Sequence, residues 1–158
     1  MRNNDLAQRA FTTILEHFVA TGRAPHYGEL ADDLGIGVEE ARQVQRHAVE
    51  AAPIASCWLA QDTDTIESWA PFSNVPTHYL ITVEGIQKWY GQCGMESLAI
   101  RWLFPGQEVV IESRCLDCVG SIRVRARDEE ILEIHPDTAV GYMPSPFAAS
   151  RVGSAAFN

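Results

Sequence analysis

Cys93 and Glu96 lie three residues apart in the run Trp89-Tyr90-Gly91-Gln92-Cys93-Gly94-Met95-Glu96-Ser97-Leu98-Ala99-Ile100. If a helix starts at Cys93, that spacing sets a soft nucleophile and a proton donor on one face. Free amides in the first turn favour negative charge, so the placement predicts a lowered thiol pKa and a larger thiolate fraction at neutral pH. Burial would raise the Glu96 pKa and the helix terminus would lower it, and the sequence leaves that contest open. The competing reading makes Glu96 a first-turn cap and Cys93 a small buried apolar residue.

A second candidate is Cys115-Leu116-Asp117-Cys118-Val119-Gly120, a C-x-x-C knuckle followed by glycine. Such a loop often holds zinc, but one pair is half a tetrahedral site. Cys93, His135 or a symmetry mate would have to supply the rest. No second knuckle or His-x-x-x-His is present, which favours metal-free thiols. Cys57, next to Trp58, reads as a small buried hydrophobe. His135, before Pro136, reads as a surface or turn residue, and His78 and Tyr79 as strand-edge packing. His17, His26 and His47 receive no role.

The elements that must position these groups follow from periodicity. Leu6, Ala10, Phe11, Ile14, Leu15, Phe18 and Val19 recur at helical spacing and predict a helix that stops near Gly22. Pro25 opens a second helix through Leu34, Gly35-Ile36-Gly37 turns the chain, and a third helix runs from Val38 to about Ala51, ending at Ala52-Pro53. This is a helix-turn-helix pattern. Gln61 to Thr65 reads as a loop between short strands. Thr77 to Val83 and Gln87 to Tyr90 form a hairpin about Glu84-Gly85 that delivers the chain to Cys93. A helix follows from Cys93 to Leu103, then strands at Val109-Ile111, Ile122-Arg125 and Ile131-Ile134. The expected fold is α+β: a three-helix, helix-turn-helix module over residues 1–60, then a mixed, mostly antiparallel β domain with an embedded helix over residues 61–158.

Composition narrows the function classes. With 158 residues, 46% of them hydrophobic, the chain can build a core without staples. Four unevenly spaced cysteines make no disulfide framework, and no signal-peptide pattern precedes the first helix, so a cytoplasmic protein with reduced thiols is expected. No stretch approaches the roughly 20 apolar residues of a membrane span. A net charge of −9 and a single lysine, Lys88, argue against nucleic-acid affinity. Residues 1–52 carry five arginines against eight acids, a net of −3, so the helical module reads as structural or dimerising, with a homodimer the implied assembly.

Through most of its length, and most strongly from Phe72 to Pro146, the chain resembles the organomercurial (alkylmercury) lyases, a resemblance that implies a winged-helix-like N-terminal module, matched in pattern by the three helices, before a mixed, mostly β catalytic domain. The hairpin, Trp89-Tyr90, Cys93, the helix into Ile100, Ile111-Glu112-Ser113-Arg114-Cys115 and Val140-Gly141-Tyr142-Met143-Pro144 follow that family's order and spacing. The resemblance implies that Cys93 binds mercury and that Glu96, where the family usually has aspartate, shuttles the proton. The family's second catalytic cysteine falls beyond the segment matched by Val140 to Pro144. No cysteine follows Cys118, and Val152 to Phe157 occupy about that place. The expectation is therefore a divergent or truncated member.

The implied function is protonolysis of carbon–mercury bonds, with Cys93 as thiolate and Glu96 as proton donor. The substrate is a small organometallic or other thiol-reactive molecule, and mercury is substrate and product ion rather than resident cofactor. Cys93, Cys115 and Cys118 are the candidate metal ligands, and zinc at Cys115 and Cys118 is the one candidate cofactor. Two other readings stay open: a non-catalytic thiol- or metal-binding relative, and an enzyme using the scaffold on another substrate.

Overall fold

A computed structural model describes residues 2–52 and 56–141. Pro53, the segment from Tyr142 to Pro144 and the stretch Val152–Phe157 lie outside the described residues. The chain divides into two compact units, Met1–Trp69 and Ala70–Asn158.

In the first unit, helix α1 (Arg2–Thr21) buries Ala7, Ala10, Ile14 and Phe18 at three- and four-residue spacing. Helix α2 (Tyr27–Leu34) is capped by His26, whose Nδ1 accepts from the Gly28 amide at 3.2 Å. Glu29 reaches back to the His26 amide at 2.8 Å and is itself held by Arg23 at 2.6 Å, which closes a capping box. Gly35, at φ +68°, ends α2 in the left-handed conformation that glycine adopts without a Cβ penalty. Helix α3 (Val38–Ala51) buries Ala41, Val44, Gln45 and Ala48.

Strands β1 (Cys57–Leu59) and β2 (Ile66–Trp69) then pair antiparallel. Their connecting loop is tied to α3. Asp64 accepts from Arg42 at 2.7 Å and from Arg46, and its carbonyl accepts from Gln45 Nε2 at 2.6 Å. The two guanidinium groups hold the Asp64 carboxyl well down, at about 2. Trp69 Nε1 of β2 donates to the Phe11 carbonyl of α1 at 3.3 Å.

The second unit is an antiparallel sheet with one embedded helix. Its strands are β3 (Phe72–Ser73), β4 (Leu80–Val83), β5 (Ile86–Gly91), β6 (Val109–Arg114), β7 (Ser121–Arg127) and β8 (Glu130–His135). They lie in the order β3-β5-β4-β6-β7-β8. Glu84 and Gly85, at φ +46° and +79°, make the tight turn of the β4–β5 hairpin, whose last pair is Val83 with Ile86. Ile81, Val83, Trp89, Val109, Ile111 and Ala126 are buried in its core. Strand β8 is exposed along its whole length; Arg125 of β7 binds Glu133 of β8 at 3.0 Å and Glu108 at 2.8 Å.

Three details differ from the expectation. Strand β4 begins at Leu80, because Thr77 instead makes a local turn: its Oγ1 accepts from the Tyr79 amide at 3.1 Å and donates to the Gly91 carbonyl at 2.7 Å. The helix expected over Cys93–Leu103 is α4 (Gly94–Ala99) followed by a 3₁₀ turn, Ile100–Leu103. The two-residue strand β3 was not anticipated, being too short to show a period.

Candidate active site at Cys93 and Glu96

Strand β5 ends at Gly91, and the chain turns within two residues into α4 with Cys93 as its N-cap. The turn is fixed at both ends. The Gly91 amide donates to the Tyr79 carbonyl at 2.9 Å, and the Gln92 amide to the Pro71 carbonyl at 3.0 Å. The Cys93 carbonyl accepts both the amide of Ser97, at 2.8 Å, and its hydroxyl, at 2.6 Å. Ser97 is fully buried directly under Gly91: a Cβ at residue 91 would lie 1.9 Å from Ser97 Oγ. Only glycine admits this approach of strand to helix.

Cys93 Sγ accepts the Glu96 amide at 3.4 Å, and the thiol donates to Glu96 Oε2 at 3.6 Å. The two groups expected to share a face therefore touch. Cys93 is only 4% exposed, and Glu96 is half-buried beside it. Burial pushes the Glu96 carboxyl up to about 7, against a smaller pull from the Cys93 hydrogen bond. Burial thus wins the contest that the sequence left open.

The expectation for the thiol is overturned. Burial pushes Cys93 up to about 11; the Glu96 amide pulls the other way, and the Glu96 carboxylate adds to the rise. A first turn contributes a fractional charge, whereas a desolvated thiolate loses its hydration outright, so burial dominates. Cys93 rests as a thiol hydrogen-bonded to a carboxyl that titrates near neutrality.

Tyr79 is a site residue that the sequence reading left as strand packing. Its ring and hydroxyl lie 3.4 Å from where a Gly94 Cβ would stand, and its hydroxyl pKa is raised by burial and by the Cys93 charge, against a hydrogen bond with the Gly94 backbone. Tyr79 therefore covers the start of α4, and Gly94 leaves room for it. Met95, between Cys93 and Glu96, is 54% exposed.

Residues 72–155 match the MerB alkylmercury lyase family. The chain belongs to the alkylmercury lyase family. The matched span holds Tyr79, Cys93, Glu96, Cys115 and Cys118, whereas the three N-terminal helices precede it. The crystal structure of the mercury-bound form of MerB2 superposes with a TM-score of 0.55 at 18% identity, over 85% of this chain and 68% of that one, a similarity of fold. No curated protein matches the chain.

The remaining candidate residues of this alkylmercury lyase family member are placed as follows. Cys115 and Cys118 sit in the loop joining β6 to β7. Among the described residues, no three histidine, cysteine or acidic side chains are grouped as metal ligands would be. Cys57 is buried, as its neighbour Trp58 suggested. His135 is exposed at the end of β8 and, with His78, Glu112, Arg114 and Arg123, lines a groove of about 370 Å³ that includes neither Cys93 nor Glu96. No helix among the described residues is long and apolar enough to cross a membrane.

Proposed function

We propose that this chain cleaves carbon–mercury bonds by protonolysis, with Cys93 as the mercury-binding thiol and Glu96 as the acid. The observation that carries the reading is the buried contact between Cys93 Sγ and Glu96 Oε2 at 3.6 Å, within a span that matches the alkylmercury lyases.

The chemistry follows from the two protonation states. Mercury is a soft cation and sulfur a soft donor, so an organomercurial R–Hg⁺ displaces the thiol proton of Cys93 and forms an S–Hg bond. That proton has an acceptor in place, because the thiol already donates to Glu96. Binding thus loads the acid that the next step consumes. Glu96 then delivers the proton to the mercury-bound carbon; the Hg–C pair becomes the new C–H bond, R–H leaves, and Hg(II) stays on sulfur with the carboxylate beside it. A carboxyl at about 7 suits this role, being protonated in a sizeable fraction at neutral pH yet able to give its proton up. No resident cofactor is needed, since the metal arrives with the substrate.

A single thiolate pushes less electron density onto the Hg–C bond than two would, so slow turnover is expected. The helical unit supports a structural, winged-helix-like role: Arg42 and Arg46 of α3, the cations a DNA-reading helix would present, are spent on Asp64.

The test is to load the full chain with phenylmercury under mild thiol competition, map the adduct by mass spectrometry and measure the benzene released. Cys93→Ser should lose the adduct at this site. Glu96→Gln should keep it while lowering benzene release by at least about a hundredfold, the range of a lost general acid. Unchanged occupancy and release in Cys93→Ser would refute the assignment.

A further inference from the structure

The β6–β7 loop has a construction that the Cys93 site does not use. Arg114 and Ser121 form the last pair of the two strands, and the six residues between them close on themselves. The Cys115 amide donates to the Gly120 carbonyl at 2.8 Å, and the Val119 amide to the Cys115 carbonyl at 3.0 Å. Arg114 Nη1 reaches the Val119 carbonyl at 3.4 Å, and Val119 takes a left-handed φ of +60° that lets the turn close. Folding the loop this way holds Cys115 and Cys118 three residues apart in one closed turn. Cys118 Sγ lies over Gly120, 3.3 Å from where a Cβ would stand. Both thiols are reduced; Cys118 is exposed and Cys115 half-exposed.

Two cysteines held in one closed turn at a solvent-reachable position are a ready-made pair of soft donors. Zinc wants four ligands, and no third histidine, cysteine or acidic side chain joins them among the described residues. Mercury(II) is satisfied by two soft thiolates. We propose that Cys115 and Cys118 form a dithiol clamp for Hg(II), separate from the Cys93–Glu96 site. The choice of mercury among soft cations follows from the family; the clamp itself does not depend on cleavage at Cys93.

Loading is ligand exchange without redox change. Hg(II) carried by two small-molecule thiolates forms two new Hg–S bonds to the loop and breaks the two it had. The Cys115 and Cys118 protons pass to the departing thiolates, and mercury stays Hg(II).

The test uses the reduced full chain carrying Cys93→Ser, so that the first site is silent, with Hg(II) presented in excess glutathione and bound mercury counted per chain by native mass spectrometry. The Cys93→Ser protein should retain one Hg(II). Adding Cys118→Ser, an exposed position, should weaken retention against glutathione by at least about a hundredfold, the low end of what a second linked contact contributes. Adding Cys115→Ser instead should do the same. Equal retention in the Cys93→Ser/Cys118→Ser protein, or mercury bound only as a bridge between two chains, would overturn the proposal. Because the readout is inorganic Hg(II) in a protein lacking Cys93, failure of the cleavage reading leaves it unaffected.

Discussion

At the scale of residues, three-residue spacing was enough to pair Cys93 with Glu96, because a first helical turn brings those side chains together wherever it forms. Their protonation was not legible in the same way. Desolvation depends on what packs around the pair, and Tyr79 comes from a separate stretch of sequence that reveals nothing of its meeting with the start of α4. The lowered thiol pKa expected at Cys93 is reversed: Cys93 is pushed up to about 11, while Cys115 is pulled below the ordinary thiol range by the Cys118 and Asp117 amides and the Cys118 side chain. Brief iodoacetamide treatment near neutral pH should therefore label Cys115 on the order of tenfold or more faster than Cys93, since the thiolate is the nucleophile. Peptide mapping reads the ratio directly, and faster labelling of Cys93 would mean that burial does not control it. Tyr79 was passed over because nothing in Thr77-His78-Tyr79 marks a contact with Gly94, fifteen positions later in the chain.

At the scale of elements, the active centre is a junction: strand β5 stops, two residues turn, and α4 begins. The hairpin feeding that junction was readable from Glu84-Gly85 and the β-branched and aromatic residues flanking it. The hinge of the arrangement, Gly91 stacked on Ser97, was not, because a close approach between strand and helix leaves no periodic trace. Gly91→Ala forces a Cβ to within 1.9 Å of Ser97 Oγ. It should destabilise the fold by about 1–3 kcal/mol through overpacking, and should also disturb the Ser97 hydrogen bonds that hold the Cys93 carbonyl. Urea denaturation of the variant measures the first effect. A neutral result would show that the junction yields easily and that Ser97 does not fix Cys93. The six-residue β6–β7 loop offers the opposite lesson, since its C-x-x-C spacing and terminal glycine marked it from sequence while its hydrogen bonding had to be seen.

At the scale of the whole molecule, the chain joins a helical unit whose α3 arginines, Arg42 and Arg46, are both paired with Asp64 to a β unit that carries every cysteine except Cys57. The α+β architecture and the family were legible because amphipathic helices and alternating strands write their periods into the sequence and the Cys93 segment keeps its order. The central claim is that Glu96 supplies the proton to carbon from a carboxyl raised to about 7. The most direct measurement is the single-turnover rate of benzene release from phenylmercury-loaded protein, followed from about pH 5 to about pH 9, a range that brackets that titration. The rate should be level at low pH, where Glu96 holds its proton, and fall roughly tenfold per unit once pH passes about 7. Glu96→Gln should lower it throughout and remove the inflection. A rate that stays flat across the range, or an inflection that survives in Glu96→Gln, would contradict the account.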